Sequence, residues 1–378
     1  MKNILLVSIN SFFDTPGEIP FLFKKAGKNV NVEVLCPKNS WLLSNRFHDK
    51  WIEVPEDAEL IKLKLLQLVK DDPNYYFWII LLDDETVKLM NDGIESEELF
   101  KKIMPINKIE NREVLSSKAG LSNFCATHHI ATPKFINYSK EHNIDSIINT
   151  LQFPILLKED FSFSGLGIQY CEEPSMLASC LNKVNNTSNL VLQEFIKGKD
   201  IGLEALFSNG ELVMYNCAEI LSYMYNQFSF TTRRLYYQDK NIEAHLHTLG
   251  KSLGLNGFAS IQYIYHPERK IYYLIEVDAR VNLWMAYSRF TANNFSEGIK
   301  RIVEEKNIEP IVFTDKKYEV AIFDRDIRRC IKHKDIKGFM RWIFNYHGYW
   351  KFIPLHDLKL FNRIFKKLLK DLFHKFLK

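Results

Sequence analysis

The segment LIEVDAR at residues 274–280 constrains this chain more than any other stretch. It is an apolar strand pattern in which Glu276, Asp278 and Arg280 occupy alternate positions, and alternate residues of a strand share one face. Two carboxylates on one face repel unless a cation lies between them, and a neighbouring arginine suits a cation that arrives with phosphate. A second strand pattern, ASIQYIY at 259–265, precedes it across a turn at 266–270. The hairpin so formed would set the amide oxygen of Gln262 beside the two acids. The expectation is an oxygen-ligand site for magnesium, held on strands and facing a nucleotide.

A chain of 378 residues has room for two or three packed domains. Its 13% aromatic content argues against disorder, and a net charge of +4 gives no bulk attraction to nucleic acid. Six scattered cysteines without a CxxC pair read as reduced thiols, neither a disulfide framework nor a zinc site. The apolar opening ILLVSI is too short for the core of a signal peptide, and the run at 75–82 falls far below the ~20 residues that span a bilayer. The expected location is cytoplasmic.

Strand patterns at 4–9, 30–35 and 77–84 alternate with helical patterns at 21–27 and 58–69, which predicts a parallel α/β sheet in the first hundred residues. The turn after the first strand lacks a G-x-G-x-x-G, so a dinucleotide fingerprint is absent. Residues 107–127 read as helical. A strand at 153–158, a Ser/Gly loop at 159–167, a helix near 174–184 and a strand at 190–196 follow, then a hairpin turning at Ser208-Asn209-Gly210. Beyond residue 325 the chain is rich in Lys, Arg, Phe and Leu, and from Phe361 onward it carries a continuous helical stripe. Such a helix fits docking on the protein body, an anionic membrane surface or a partner; docking is favoured because core-facing stripes are the commoner kind.

Four pieces carry chemistry. Lys158 ends a strand that enters a loop holding Ser162, Ser164 and Gly165, where backbone N–H groups and hydroxyls can approach phosphate. The stretch Gln193, Glu194, Phe195, Ile196 and on to Asp200 offers a strand end for an adenine edge and an acid for ribose hydroxyls. Gln262, Glu276, Asp278 and Arg280 form the third piece. Lys118, on a helix, reaches toward the same phosphates. Arg233 and Arg234 would grip a substrate carboxylate together, or form a solvated basic turn. His128-His129 and His245-x-His247 are assigned to structure, since i and i+2 on a helix do not face each other.

In this order the pieces resemble the ATP-grasp superfamily, in particular carboxylate–amine ligase-like and carbamoyl-phosphate synthetase large-chain-like members, over most of residues 1–290. The resemblance implies a mixed α/β and α+β fold: a Rossmann-like pre-ATP-grasp domain at 1–105, an ATP-grasp domain at 106–300 with a small subdomain at about 128–195, and a basic helical region at 301–378. It implies ATP bound by Lys118, Lys158, Ser162, Ser164, Gly165, Glu194, Phe195 and Asp200, with the Gln193 carbonyl and Ile196 N–H at the adenine edge. Gln262, Glu276 and Asp278 would hold magnesium or manganese, and Lys158 and Arg280 would act on the transferring phosphoryl group. The implied reaction is phosphorylation of a carboxylate by ATP, then displacement of phosphate by an amine or other nucleophile; homodimers are common in that family, and the sequence leaves the oligomeric state open. The chain departs from the family at Asp278, where Asn is commoner, and in the serines of its loop. The rival reading is a non-catalytic nucleotide-binding or membrane-docking protein on a degenerate version of the fold.

Overall fold

The computed structural model describes residues 1–162, 167–184, 189–309, 311 and 313–376, with side chains as far as Asp371. Three sheets organise the chain. The first is parallel, in the order β3-β2-β1-β4, built from β1 (Lys2–Val7), β2 (Val30–Cys36), β3 (Lys50–Glu53) and β4 (Tyr76–Leu81). Ile4, Leu5, Leu6 and Val7 are all fully buried, as strands covered on both faces must be. The helix Ala58–Asp71 buries Ile61, Leu65 and Val69, one stripe at helical spacing, and is capped by the Asp57 carboxylate, which accepts from Leu60 N–H. The acids expected at the end of the third strand lie beyond β4. Asp83 caps the helix Asp84–Gly93, so Asp84 opens that helix.

The second sheet is antiparallel, in the order β5-β8-β6-β7, from β5 (Phe135–Tyr138), β6 (Ile155–Glu159), β7 (Ile168–Cys171) and β8 (Leu190–Glu194). Its own core holds Ile147, Ile155, Leu157, Leu177 and Leu192. The third sheet has six antiparallel strands in the order β13-β12-β9-β10-β11-β14. They are β9 (Lys199–Ser208), β10 (Glu211–Tyr223), β11 (Thr231–Tyr237), β12 (Gly257–His266), β13 (Ile271–Asp278) and β14 (Tyr318–Ala321). Asn209 and Gly210, both at positive φ, close the tight turn between β9 and β10.

Two expectations change. Residues 107–127 are not one helix: a 3₁₀ turn at Ile109–Leu115 breaks at Ser116, and Ser117 in an extended conformation caps a new helix, Lys118–Thr127. The stretch after 301 is not purely helical, because β14 pairs with β11 and completes the large sheet. The final helix, Leu358–Phe376, docks on the body. Leu360 and Leu368 are buried, Phe361 and Ile364 pack against a cluster with Trp342, Tyr349 and Phe352, and the Arg363 guanidinium donates to the carbonyls of Asn39 and Ser40 and to the Ser44 hydroxyl. The candidate face for membrane contact is therefore turned onto protein at Phe361, Ile364 and Leu368, while Phe365 and Leu369 stay exposed; the side chains of Leu372, Phe373 and Phe376, and all of Leu377, lie outside the described residues. Among the described residues no helix is long and apolar enough to cross a membrane.

Candidate active site

A cavity of about 1300 Å³ lies where the three sheets and the C-terminal stretch meet. Lys158 enters it from β6 and is nearly inaccessible to solvent. Its Nζ donates to Gln193 Oε1 on the adjacent β8 at 2.5 Å. Burial pushes this amine down to about 8, with Glu276 pulling it up and Lys118 adding to the fall. Lys118 reaches the cavity from the start of its helix, and its Nζ donates to the Ser162 carbonyl at 2.9 Å and the Ser162 hydroxyl at 3.1 Å. Asp160 sets that geometry: its carboxylate accepts from the Ser117 hydroxyl and from Ala119 N–H, at 2.9 and 2.8 Å. Burial lowers the Lys118 pKa too, against the upward pull of Glu276, Asp160 and Asp278. Two amines of depressed pKa, both facing carboxylates across a cavity, mark a place that expects more negative charge.

The loop after Lys158 is described at Ser162 and again from Gly167; Ser164 and Gly165 lie outside the described residues. Gly167 has φ +74, so the loop re-enters β7 through a left-handed conformation that favours glycine.

Across the cavity, Gln262 on β12 pairs directly with Glu276 on β13, and Ser260 with Asp278. Paired residues share a face, so the amide and the two acids line up as the strand pattern required. Burial and the Glu276 carboxylate push the Asp278 carboxyl well above its ordinary range, against the pull of Arg280. Among the described residues no group of three or more His, Cys, Asp and Glu is placed to bind a metal. Two carboxylates and an amide oxygen are nonetheless hard donors that suit magnesium, which keeps several waters and takes the remaining oxygens from phosphate. Burial is the main cause of the rise at Asp278, and the added push of the Glu276 charge is what such a cation would relieve.

Arg280 is anchored by a residue that strand periodicity does not reveal. Its guanidinium grips both carboxylate oxygens of Asp84, with Nη2 at 2.9 Å from Oδ2, and Nη2 also lies 3.2 Å from Asp278 Oδ2. Burial works against the Arg280 charge, but Asp84 and Asp278 outweigh it and raise its pKa above the usual arginine value.

Gln193, Glu194, Phe195, Ile196 and Asp200 all line the same cavity. Phe195 N–H donates to the Pro154 carbonyl, and its ring meets Tyr170 edge-on at 5.5 Å. The Gln193 side chain serves Lys158, a use its place in the strand did not suggest. Burial raises the Asp200 carboxyl, opposed by a hydrogen bond from the Tyr223 hydroxyl.

The two adjacent arginines do not act as a pair. They sit on β11, not on a turn, so they face opposite sides of the sheet. Arg233 turns away from the cavity toward Glu319 and Asp326, at 3.6 and 4.0 Å. Arg234 lines the cavity but is held by the fully buried Glu204, lies over the Trp284 ring at 4.4 Å and packs on Gly202, where a Cβ would meet its Cζ at 3.1 Å. Glu204 also accepts from the Tyr236 hydroxyl at 3.1 Å. Glu204, Asp84 and Asp160 are thus site residues missed from sequence; the acid at the end of the third strand was the one visible hint of Asp84. His245 packs against Tyr263 and Tyr272, and His128 against Phe124.

The profile of the RimK-like ATP-grasp domain matches residues 115–211. No curated protein sequence matches the chain. Among solved structures, the fold is similar to N5-carboxyaminoimidazole synthetase from Staphylococcus aureus complexed with ADP, at a TM-score of 0.66 and 15% identity over 88% of this chain and 86% of that one. It is also similar to phosphoribosylglycinamide synthetase from Anaerococcus prevotii, at 0.61 and 16% over 85% and 80%. L-amino acid ligase from Bacillus licheniformis gives 0.58 and 16% over 85% and 80%. Residues 115–211 thus match a RimK-like ATP-grasp domain, and the three sheets together have the fold of these solved structures.

Proposed function

We propose that the chain is an ATP- and magnesium-dependent carboxylate ligase that joins a carboxylate to an amine or similar nucleophile. The observation that carries this reading is the convergence of Lys118, Lys158, Glu276, Asp278 and Arg280, from separate segments, on one cavity. The adenine edge would lie against residues 193–196, and Lys118 and Lys158 would hold phosphate oxygens. Glu276, Asp278 and Gln262 would hold magnesium, which supplies charge neutralisation between phosphate groups. Arg280, fixed by Asp84, would face the oxygens of the transferring group.

In the first step a substrate carboxylate oxygen attacks the γ-phosphorus, the bond to the ADP oxygen breaks, and an acyl phosphate forms. In the second, the nucleophile attacks the acyl carbon and phosphate leaves. An ionised carboxylate needs no general base for the first step. The ligases among the structural neighbours support this reading, and a cytoplasmic setting is consistent with it.

The test is calorimetry of ATP binding, with and without magnesium, on wild type and Glu276→Ala, followed by phosphate release with panels of carboxylates and amines. Magnesium-dependent binding that Glu276→Ala removes supports the site. Wild type that binds no ATP refutes it.

A further inference from the structure

The charge of this chain is segregated. Residues 325–378 carry fifteen Lys and Arg against four Asp, a net +11, so the preceding 324 residues carry −7 within the total of +4. The same stretch exposes large apolar side chains in a cluster. On the helix Ile336–Ile343 the positions 336, 340 and 343 form one stripe, and Ile336 is 69% exposed, Met340 38% and Ile343 49%. The opposite face of that helix buries Gly338 and Trp342. Phe344, 59% exposed, follows at once, and its ring lies 5.7 Å from Tyr346, 54% exposed. Trp350, 51% exposed, is tied to the same element: its backbone N–H donates to Asn345 Oδ1 at 2.8 Å and its indole donates to the Trp342 carbonyl at 2.7 Å.

Rigidly held, outward-facing Ile, Met, Phe, Tyr and Trp are costly in water. Lys332, Lys334, Lys337 and Lys351 are exposed on the same stretch. We propose that this surface, built from residues 336–350, docks the protein on an anionic lipid bilayer. Indole and phenol rings sit at the headgroup level, apolar tips enter the acyl boundary, and the lysines meet lipid phosphates. A second copy of the chain is disfavoured as the occupant, because it would press two strongly cationic surfaces together. The docking helix is not the final one, whose Leu360, Phe361, Ile364 and Leu368 pack on the body, but the shorter helix and turn before it. The inference is independent of the ligase reading, since none of these residues lines the cavity.

The experiment is vesicle co-sedimentation of the full chain with phosphatidylcholine vesicles, plain or containing about 30% phosphatidylglycerol, together with light scattering of the protein alone. Binding at least about tenfold stronger to the anionic vesicles, falling by about tenfold or more between 0.1 and 0.5 M salt, is expected. Phe344→Ser combined with Trp350→Ser, and separately Lys334→Glu with Lys337→Glu, should each lower partitioning at least about tenfold while leaving ATP binding by calorimetry unchanged. Equal partitioning to both vesicle types, or none, overturns the proposal. So does partitioning that neither variant alters, or a wild-type dimer that Phe344→Ser with Trp350→Ser converts to monomer.

Discussion

Lys158 is a cation kept where a cation is expensive, and replacing it tests the site through stability as well as binding. An amine whose pKa falls from 10.5 to about 8 on folding costs roughly 3 kcal/mol at neutral pH, at about 1.4 kcal/mol per pH unit. Lys158→Met removes that cost and strands the Gln193 Oε1 acceptor that the amine now satisfies, a loss of roughly 1–2 kcal/mol. The variant is therefore more stable than wild type at pH 7, by roughly 1–2 kcal/mol. The advantage has a defined pH window. Below about 8 both folded and unfolded states hold the proton and the full penalty stands; between about 8 and 10.5 the unfolded chain binds more protons, so wild-type stability rises with pH and the gap closes. Loss of a charge-assisted bond to phosphate weakens ATP binding about 10- to 150-fold. Denaturant unfolding at pH 7 and pH 10.5, with calorimetric ATP titration, reads both quantities. A variant less stable than wild type by the same margin at both pH values, or one that binds ATP as tightly as wild type, refutes the view of Lys158 as a strained cation reserved for phosphate.

Asp84→Asn loosens the grip on Arg280 while leaving Lys118 and Lys158 in place; kcat for phosphate release should fall about 10- to 100-fold while KM for ATP stays within about threefold. Arg234→Ala leaves the fully buried Glu204 carboxylate without its cation and should cost about 3–5 kcal/mol in denaturant unfolding. By contrast Arg233→Ala should cost under about 1.5 kcal/mol, since Asp326 keeps Arg329 and the Trp342 indole. Leu368→Ala should destabilise the docked final helix by about 2–4 kcal/mol, seen as faster proteolysis of the C-terminal stretch ahead of global unfolding.

The parts of the site legible in the sequence are those written in local periodicity. Glu276, Asp278 and Arg280 alternate along one strand, whereas Gln262 falls opposite Glu276 because a bulge at Ile275 shifts the hairpin register by one residue, which the sequence does not announce. Lys158 was visible as the polar end of an apolar strand. Asp84 was not, because its partner Arg280 lies 196 residues away and nothing local encodes that meeting. Glu204 sits in a strand of otherwise apolar character, and its charge makes sense only once β11 brings Arg234 beside it. The two arginines read either as a joint carboxylate clamp or as a solvated basic turn, and alternation along β11 rules out the joint clamp by separating them. Two of the four-residue edge strands, β3 and β14, carry too few residues for a period to show.

The tie between Asp14 and Lys367 spans 353 positions, and both residues line the cavity, as do Arg325 and Arg328. Closing a loop ten times longer than a typical 35-residue crossover costs about 2 kcal/mol more in chain entropy. The sheets can assemble from nearer contacts, whereas this wall must wait for the chain's distant ends to find each other. Folding should thus build the cavity-facing strands early and seal the chamber last. The same seam, the last to close, is the first place where amide hydrogens should exchange in the native state.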